Sequence, residues 1–428
     1  MKKIKIDKKW LIVIMGTLTH LGIGTVYAWS FFQTPITKLS GWSNTEVAWV
    51  FSISIFMLGV SAAWGGTKID KYGPRKLAII GAVFYALGYI ISSYALASNS
   101  LWLLYLAFGV LGGIGLGLVY VTPVATVSKW FTKKQGLATG IVIMGFGLGA
   151  LVMSKLLAPL FLQLSNENLS KTFLYVGFTL IIILPFCASF LKLPPSNKTE
   201  AKSEQPVVSE NLSPLKYIFS KSFIIIWLMF MINVVAGMVF ISFQSPLLQD
   251  MLKLSMPPTT NFADAQIMSI LNGAGATLIA VSSVFNGLGR FFWGAISDKI
   301  GRFTTFRILL ALQVLIFVVL IFVSNPAWFF VLVCIILLCY GGGFGVIPSL
   351  IHDRYGANLM PVLYGAALTA WGVGGIVGPQ IVAFMKDNYP ENAGLYAFGI
   401  STVLLVIGFG LSYLYKKPKA IKQLTEYA

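Results

Sequence analysis

Charge is what this chain has least of. Only 11% of its 428 residues are Asp, Glu, Lys or Arg, against about 25% in a soluble globular protein. With 57% hydrophobic residues and a mean hydropathy of +0.82, there is too little polar surface to face water. An ordinary cytosolic enzyme is thereby excluded. Acidic residues are scarcer than basic ones, 14 against 31, and histidine occurs twice. The three cysteines, Cys187, Cys334 and Cys339, all sit in apolar runs. Their spacing suits neither a disulfide framework nor a metal site, so they read as small core residues. No Ser/His/Asp set, metal cluster or nucleotide motif speaks for an enzyme, and neither a metal nor a cofactor is expected. The lack of a sizeable polar domain counts against a receptor with its own output module.

Long apolar runs are what the chain has in abundance. A membrane-spanning helix needs about 20 predominantly apolar residues. Twelve runs qualify, near 10–32, 46–66, 77–97, 101–128, 136–162, 172–193, 222–247, 268–294, 304–324, 326–350, 361–385 and 393–415. They are numbered here helix 1 to helix 12. The lysine-rich start, Met1–Trp10, has the charge of a signal peptide. The run behind it is too long, however, and lacks a small-x-small cleavage site, so it reads as an uncleaved first helix.

The net charge of +17 first suggests a nucleic-acid partner. Its distribution removes that need. Twenty-five of the 31 Lys and Arg lie at the two ends and in every second loop, whereas Lys38, Lys171, Lys253 and Lys386 are alone in the alternate loops. This is the positive-inside bias. It predicts both termini in the cytoplasm, an even helix count, a lipid bilayer as the surrounding and no nucleic acid.

The longest polar stretch, 194–221, is rich in Pro, Ser, Glu and Lys and predicts a flexible cytoplasmic linker. It separates an N-terminal bundle, 1–193, from a C-terminal bundle and tail, 222–428. The two sides repeat one another. Gly66-Thr-Lys-Ile-Asp70-Lys71-Tyr-Gly73-Pro-Arg75 follows helix 2, and Gly294-Ala-Ile-Ser-Asp298-Lys299-Ile-Gly301-Arg302 follows helix 8. The aspartates are 228 positions apart, and Pro123 and Pro348 are 225 apart. A near-constant offset marks a duplicated six-helix unit, a design that holds its substrate between the halves near the bilayer midplane. Glycine is concentrated in helices 4, 5, 10 and 11, where small residues let helices approach closely.

Two copies of Gly-x-x-x-Asp-Lys-x-Gly at these places resemble the signature of the major facilitator superfamily. Val26-Tyr27-Ala28-Trp29, Gly115-Leu-Gly117-Leu-Val-Tyr120-Val-Thr-Pro123 and Asn286-Gly287-Leu-Gly289-Arg290 further resemble the oxalate/formate antiporter family and, more distantly, the monocarboxylate transporters. The resemblance runs from Trp10 to about Tyr415. It implies an all-α membrane protein of twelve helices in two pseudo-symmetric six-helix bundles, acting as a secondary transporter of small carboxylates in a bacterial cell membrane. In dicarboxylate members of that family, an arginine of helix 8 and a lysine of helix 11 each meet one carboxylate. Arg290 matches the arginine, and Trp371 stands where the lysine is found.

Arg290 is the most informative single residue. A charge at mid-span costs at least ~2.5–3.5 kcal/mol on insertion scales, and no carboxylate lies in any span to offset it. A guanidinium so placed is fitted to take an anionic ligand through its planar fork. Asn286, four residues earlier, shares its helical face. Its amide does not titrate, so it orients the arginine or the substrate. Lys155, near the outer end of helix 5, either snorkels to the interface or lines the outer path. His20, midway along helix 1, is either a neutral packing residue or a proton carrier. The resemblance places Tyr27, Tyr120 and Trp371 around the substrate. Asp70 and Arg75 in one loop, and Asp298 and Arg302 in the other, read as gating ion pairs. The expectation is a monomeric carrier of monocarboxylates such as lactate, pyruvate or formate, with protons or a counter-anion as coupling partner. An oxalate-type exchanger using Lys155 as second cation is the alternative.

Overall fold

The computed structural model describes residues 8–131, 135–194, 214–356 and 359–415. Among the described residues, twelve helices are long and apolar enough to cross a membrane: α1 (Lys9–Ser40), α2 (Asn44–Ile69), α3 (Pro74–Ala97), α4 (Leu101–Trp130), α5 (Ala138–Leu164), α6 (Leu169–Ala188), α7 (Lys221–Ser255), α8 (Ala265–Ile300), α9 (Arg302–Phe322), α10 (Pro326–Tyr355), α11 (Val362–Asn388) and α12 (Pro390–Leu411). These match the twelve apolar runs in number and order. Several helices outrun them; α7 and α8 each gain a polar turn or more where they leave the apolar zone.

Helix starts follow the capping rules. Ser43 and Glu46 form a capping box at α2, and Asn168, Ser220, Asp264 and Asn325 cap α6, α7, α8 and α10 through their side chains. Each satisfies backbone N–H groups that a helix leaves open. The repeated loop motif has a conformational reason for its glycine. Gly73 and Gly301 take nearly the same backbone angles, φ 78° with ψ 150° and φ 89° with ψ 147°. Side-chain-bearing residues avoid that region. One glycine therefore turns α2 into α3, and its repeat turns α8 into α9.

The duplication is visible in the packing. In the first half α1 packs on α5, α2 on α4 and α3 on α6; in the second, α7 packs on α11, α8 on α10 and α9 on α12. Between the halves the principal contacts are α2 with α11 and α5 with α8, which the same six-helix shift interchanges. These seams are lined by small residues. A Cβ on Gly147 would lie 2.6 Å from the Cα of Gly287, and one on Gly59 would lie 2.9 Å from the Leu368 carbonyl.

Among the described residues, non-α turns interrupt three of these helices. A 3-10 turn, Gly24–Ala28, interrupts α1, and π-helical turns occur at Tyr105–Gly112 in α4 and Met153–Leu157 in α5. Such turns re-aim the side chains beyond them. The turn in α1 carries Tyr27.

Candidate functional site: an arginine in an aromatic chamber between the halves

The chamber begins with close helix packing. A Cβ on Gly345 would lie 2.1 Å from the Arg290 carbonyl, one on Gly341 2.1 Å from the Asn286 carbonyl, and one on Gly289 2.1 Å from the Leu338 carbonyl. The glycine run of α10 thus lets α8 lie directly against it, which fixes the stretch of α8 that carries Asn286 and Arg290. On α10, Tyr340 and Phe344 are four residues apart and share a face. From the first half, Gly24 in α1 sits against the Phe146 backbone of α5, bringing Tyr27 and Phe146 to the same centre.

Arg290 lies in the middle and is 2% exposed. Its guanidinium stacks over Phe344 of its own half and Phe146 of the other, 4.6 and 5.5 Å from the ring centroids. Its Nε donates to the Asn286 Oδ1 at 3.5 Å, and its Nη1 donates to the Tyr120 hydroxyl at 3.4 Å. Nη2 is buried without a hydrogen-bond partner. Both bonds are long for charge-assisted ones, so the guanidinium is only loosely engaged. No carboxylate among the described residues forms an ion pair with it.

Aromatic rings enclose this charge. Trp371, fully buried, meets Phe344, Tyr120, Phe146 and Tyr27 at centroid distances of 4.7, 4.9, 5.5 and 6.2 Å. The Tyr27 and Tyr340 hydroxyls are hydrogen-bonded to one another across the halves. The Trp371 indole N–H, like Arg290 Nη2, has no acceptor. His20 stacks on Tyr120 at 4.9 Å, and its Nε2 lies 2.9 Å from the Tyr120 carbonyl. A carbonyl only accepts, so Nε2 is the donor in that contact.

A cavity of about 440 Å³ reaches toward this chamber from the face that bears the two repeated loops, hereafter the linker face. It runs between the halves, walled by Val121, Val124 and Ile143 on one side and Pro348, His352 and Tyr364 on the other. Tyr364 stands at its inner end, near Tyr120 and Arg290. Among the described residues no group of His, Cys, Asp and Glu gathers to hold a metal ion. The available chemistry is that of one fixed cation and several neutral donors in a space walled by aromatic rings, which suits a small anion.

The family model of the Major Facilitator Superfamily matches residues 12–379. The chain belongs to the Major Facilitator Superfamily. Relatives at lower identity are similar over most of its length. The oxalate:formate antiporter of Oxalobacter formigenes is 24% identical over 410 residues, 95% of this chain and 91% of that protein. The apicoplast pyruvate carrier 1 of Toxoplasma gondii is 25% identical over 457 residues, 84% of this chain and 80% of its own. Among solved structures, a bacterial homolog of the human lysosomal transporter Spinster shares the fold, with a TM-score of 0.68 at 15% identity over 96% of this chain and 97% of that one. The protein is thus an integral membrane transporter of the superfamily.

The remaining sequence-predicted residues of this superfamily transporter fall outside the chamber. Lys155 is exposed near the face opposite the linker and donates to the Thr277 hydroxyl of α8 at 2.7 Å; it does not converge with Arg290. On the linker face Arg302 pairs with Asp298 at 2.5 Å and with Asp353 at 3.0 Å, and it also donates to Ser297. That cluster lies wholly in the second half and lines the cavity. Arg75 is exposed at the start of α3, and the Asp70 side chain lies outside the described residues.

On the opposite face the halves meet through contacts that sequence reasoning missed, beside a cavity of about 890 Å³ lined by Pro35, Lys38, Lys171, Gln249 and Asn272. Asp387, at the end of α11, accepts from the Asn44 backbone N–H at 3.0 Å, the Asn44 side-chain amide at 2.9 Å and the Thr45 N–H at 2.7 Å. A carboxylate of one half thereby caps the first turn of α2 in the other. Ser283 of α8 donates to the Gly147 carbonyl at 2.6 Å and accepts from the Leu151 N–H at 3.1 Å, which stitches α8 to the α5 backbone. Cavities between the halves therefore flank the chamber on both faces, and Arg290 lines neither. Also missed were Phe146, Tyr340, Phe344 and Tyr364. The spacing of Tyr340 and Phe344 around the glycine run was the available signal for two of them.

Proposed function

We propose that this transporter carries small monocarboxylate anions of the lactate, pyruvate or formate type by alternating access, with Arg290 as the carboxylate anchor. The observation that carries the reading is the buried Arg290, whose Nη2 has no partner in a chamber walled by aromatic rings. A guanidinium there is costly until an anion joins it, and the surrounding rings exclude water and strengthen that attraction. The Trp371 N–H supplies a second, neutral donor for the substrate. Asn286 orients the guanidinium, and Tyr27, Tyr120 and Trp371 shape the chamber. The names of the relatives, a pyruvate carrier and an oxalate:formate antiporter, support small carboxylates as the class.

The halves, residues 1–193 and 222–415, would rock about the α2–α11 and α5–α8 seams. Because Arg290 belongs to one half and its partner Tyr120 to the other, an anion bound between them is exposed first to one face and then to the opposite. By the positive-inside rule the linker face is cytoplasmic, and the carrier functions as a monomer in a cell membrane. Oxalate would leave its second carboxylate without a cation, since Lys155 lies elsewhere.

The test is uptake of labelled lactate, pyruvate, formate and oxalate into proteoliposomes, with and without internal carboxylate and with an imposed pH gradient. Saturable accumulation of a monocarboxylate in unchanged form, outcompeting oxalate by about tenfold or more, is expected. Transport of none of the four overturns the proposal, and a preference for oxalate overturns the monocarboxylate assignment. The gradient and the internal anion distinguish proton symport from exchange.

A further inference from the structure

Tyr364 has no role in the account above, yet it lies where the cavity meets the chamber. It lines the inner end of the linker-face cavity, is 6% exposed, and lies beside Tyr120 and Arg290. Its hydroxyl is buried beside the Tyr120 hydroxyl and makes no hydrogen bond of normal geometry. Arg290 itself is absent from the cavity wall, whereas Tyr364 is on that wall and lies beside the guanidinium.

The register of α11 supports a linked role. Tyr364 and Trp371 are seven residues apart, which puts them on one helical face about 10.5 Å apart along the axis. Both carry a buried donor without a hydrogen bond of normal geometry, and Tyr120 adjoins both. One face of α11 therefore offers two unsatisfied donors at two depths, one by the aromatic chamber and one at its mouth. A buried donor is left unpaired at a cost, and a ligand oxygen removes it. The three N–H groups that Arg290 does not use on Asn286 and Tyr120 can meet both carboxylate oxygens, and each oxygen keeps a lone pair for a further donor.

We infer that Tyr364 is a specificity-determining residue: its hydroxyl donates to a carboxylate oxygen, and its ring closes the mouth of the chamber against longer acids. This rests on the carboxylate reading of Arg290. It predicts that hydroxyl and ring act separately, the first on affinity and the second on size selection.

The experiment is equilibrium binding of L-lactate and of 2-hydroxyhexanoate to the full-length protein in lipid nanodiscs, for wild type, Tyr364→Phe, Tyr364→Ala and Arg290→Gln. Tyr364→Phe should raise the dissociation constant for lactate about tenfold, as expected for one hydrogen bond to a charged group, and leave the ratio between the two acids unchanged. Tyr364→Ala should shift that ratio about fivefold toward the longer acid. If Tyr364→Phe binds lactate within about twofold of wild type, or Tyr364→Ala keeps the wild-type ratio, the inference fails while the Arg290 reading stands. If wild type binds neither acid, or Arg290→Gln binds as wild type does, the carboxylate reading fails and this inference with it.

Discussion

Opening the face opposite the linker must break the hold of Asp387 on α2, and the size of that hold can be worked out. The carboxylate takes three hydrogen bonds at 2.7–3.0 Å from Asn44 and Thr45, and it also meets the positive end of the α2 dipole. A buried charge-assisted bond contributes about 1.5–3 kcal/mol, and a charge at a helix terminus about 0.3–1 kcal/mol. Asp387 is exposed, so solvent screening reduces the set to about 1–2 kcal/mol in total. Asp387→Asn keeps one acceptor oxygen, loses the charge and turns an amide toward the α2 donors. A loss of about 1 kcal/mol should raise the population open to that face about fivefold. Spin labels at Lys171→Cys on α6 and Tyr396→Cys on α12, both exposed positions, would report the separation of the halves on that face. The three native cysteines are buried and leave these sites for selective labelling. The distance distribution of Asp387→Asn should gain a long component, and Asp387→Ala should gain more. A distribution identical to wild type in both variants would refute the reasoning.

Three further perturbations follow from the same geometry. Gly147→Val places side-chain atoms where the Gly287 backbone lies; the protein should still insert, but exchange in proteoliposomes should fall about tenfold or more because the α5–α8 seam no longer closes. Lys155→Gln removes a hydrogen bond to Thr277 outside the chamber, so carboxylate affinity should change less than about twofold, as read by competition binding. Trp371→Lys puts a second cation against Tyr120 and Phe344; competition against one labelled substrate should show lactate weakened and oxalate strengthened, each by about tenfold.

Arg290, Asn286, Tyr27, Tyr120, Trp371 and His20 were legible as candidates because each breaks the pattern of an apolar span or sits in a motif, and the structure gathers them around one centre. Their roles remain proposals resting on that convergence. The twelve helices were legible from apolar length alone, and the duplication from the 228-residue offset of Asp70 and Asp298. Phe146, Phe344, Tyr340 and Tyr364 were not, because one aromatic among 32 Phe and 17 Tyr carries no local signal. Which of them face the chamber depends on the rotation of each helix, and glycine contacts such as Gly24 on Phe146 set that rotation only in three dimensions. Asp387 was hidden for a different reason. Its partner is a helix N-terminus 343 residues away, and in one dimension it reads as a solvated loop acid.

The central claim is that a buried arginine exists to meet a carboxylate, and equilibrium binding to Arg290 variants tests it most directly. Labelled lactate and pyruvate would be titrated against wild type, Arg290→Lys and Arg290→Gln, all purified as folded protein in nanodiscs. The account predicts saturable wild-type binding of at least one of the two. It predicts a loss of about tenfold or more in Arg290→Lys, whose ammonium lacks the planar fork, and no measurable binding in Arg290→Gln. Wild-type affinity in a folded Arg290→Gln protein would contradict it.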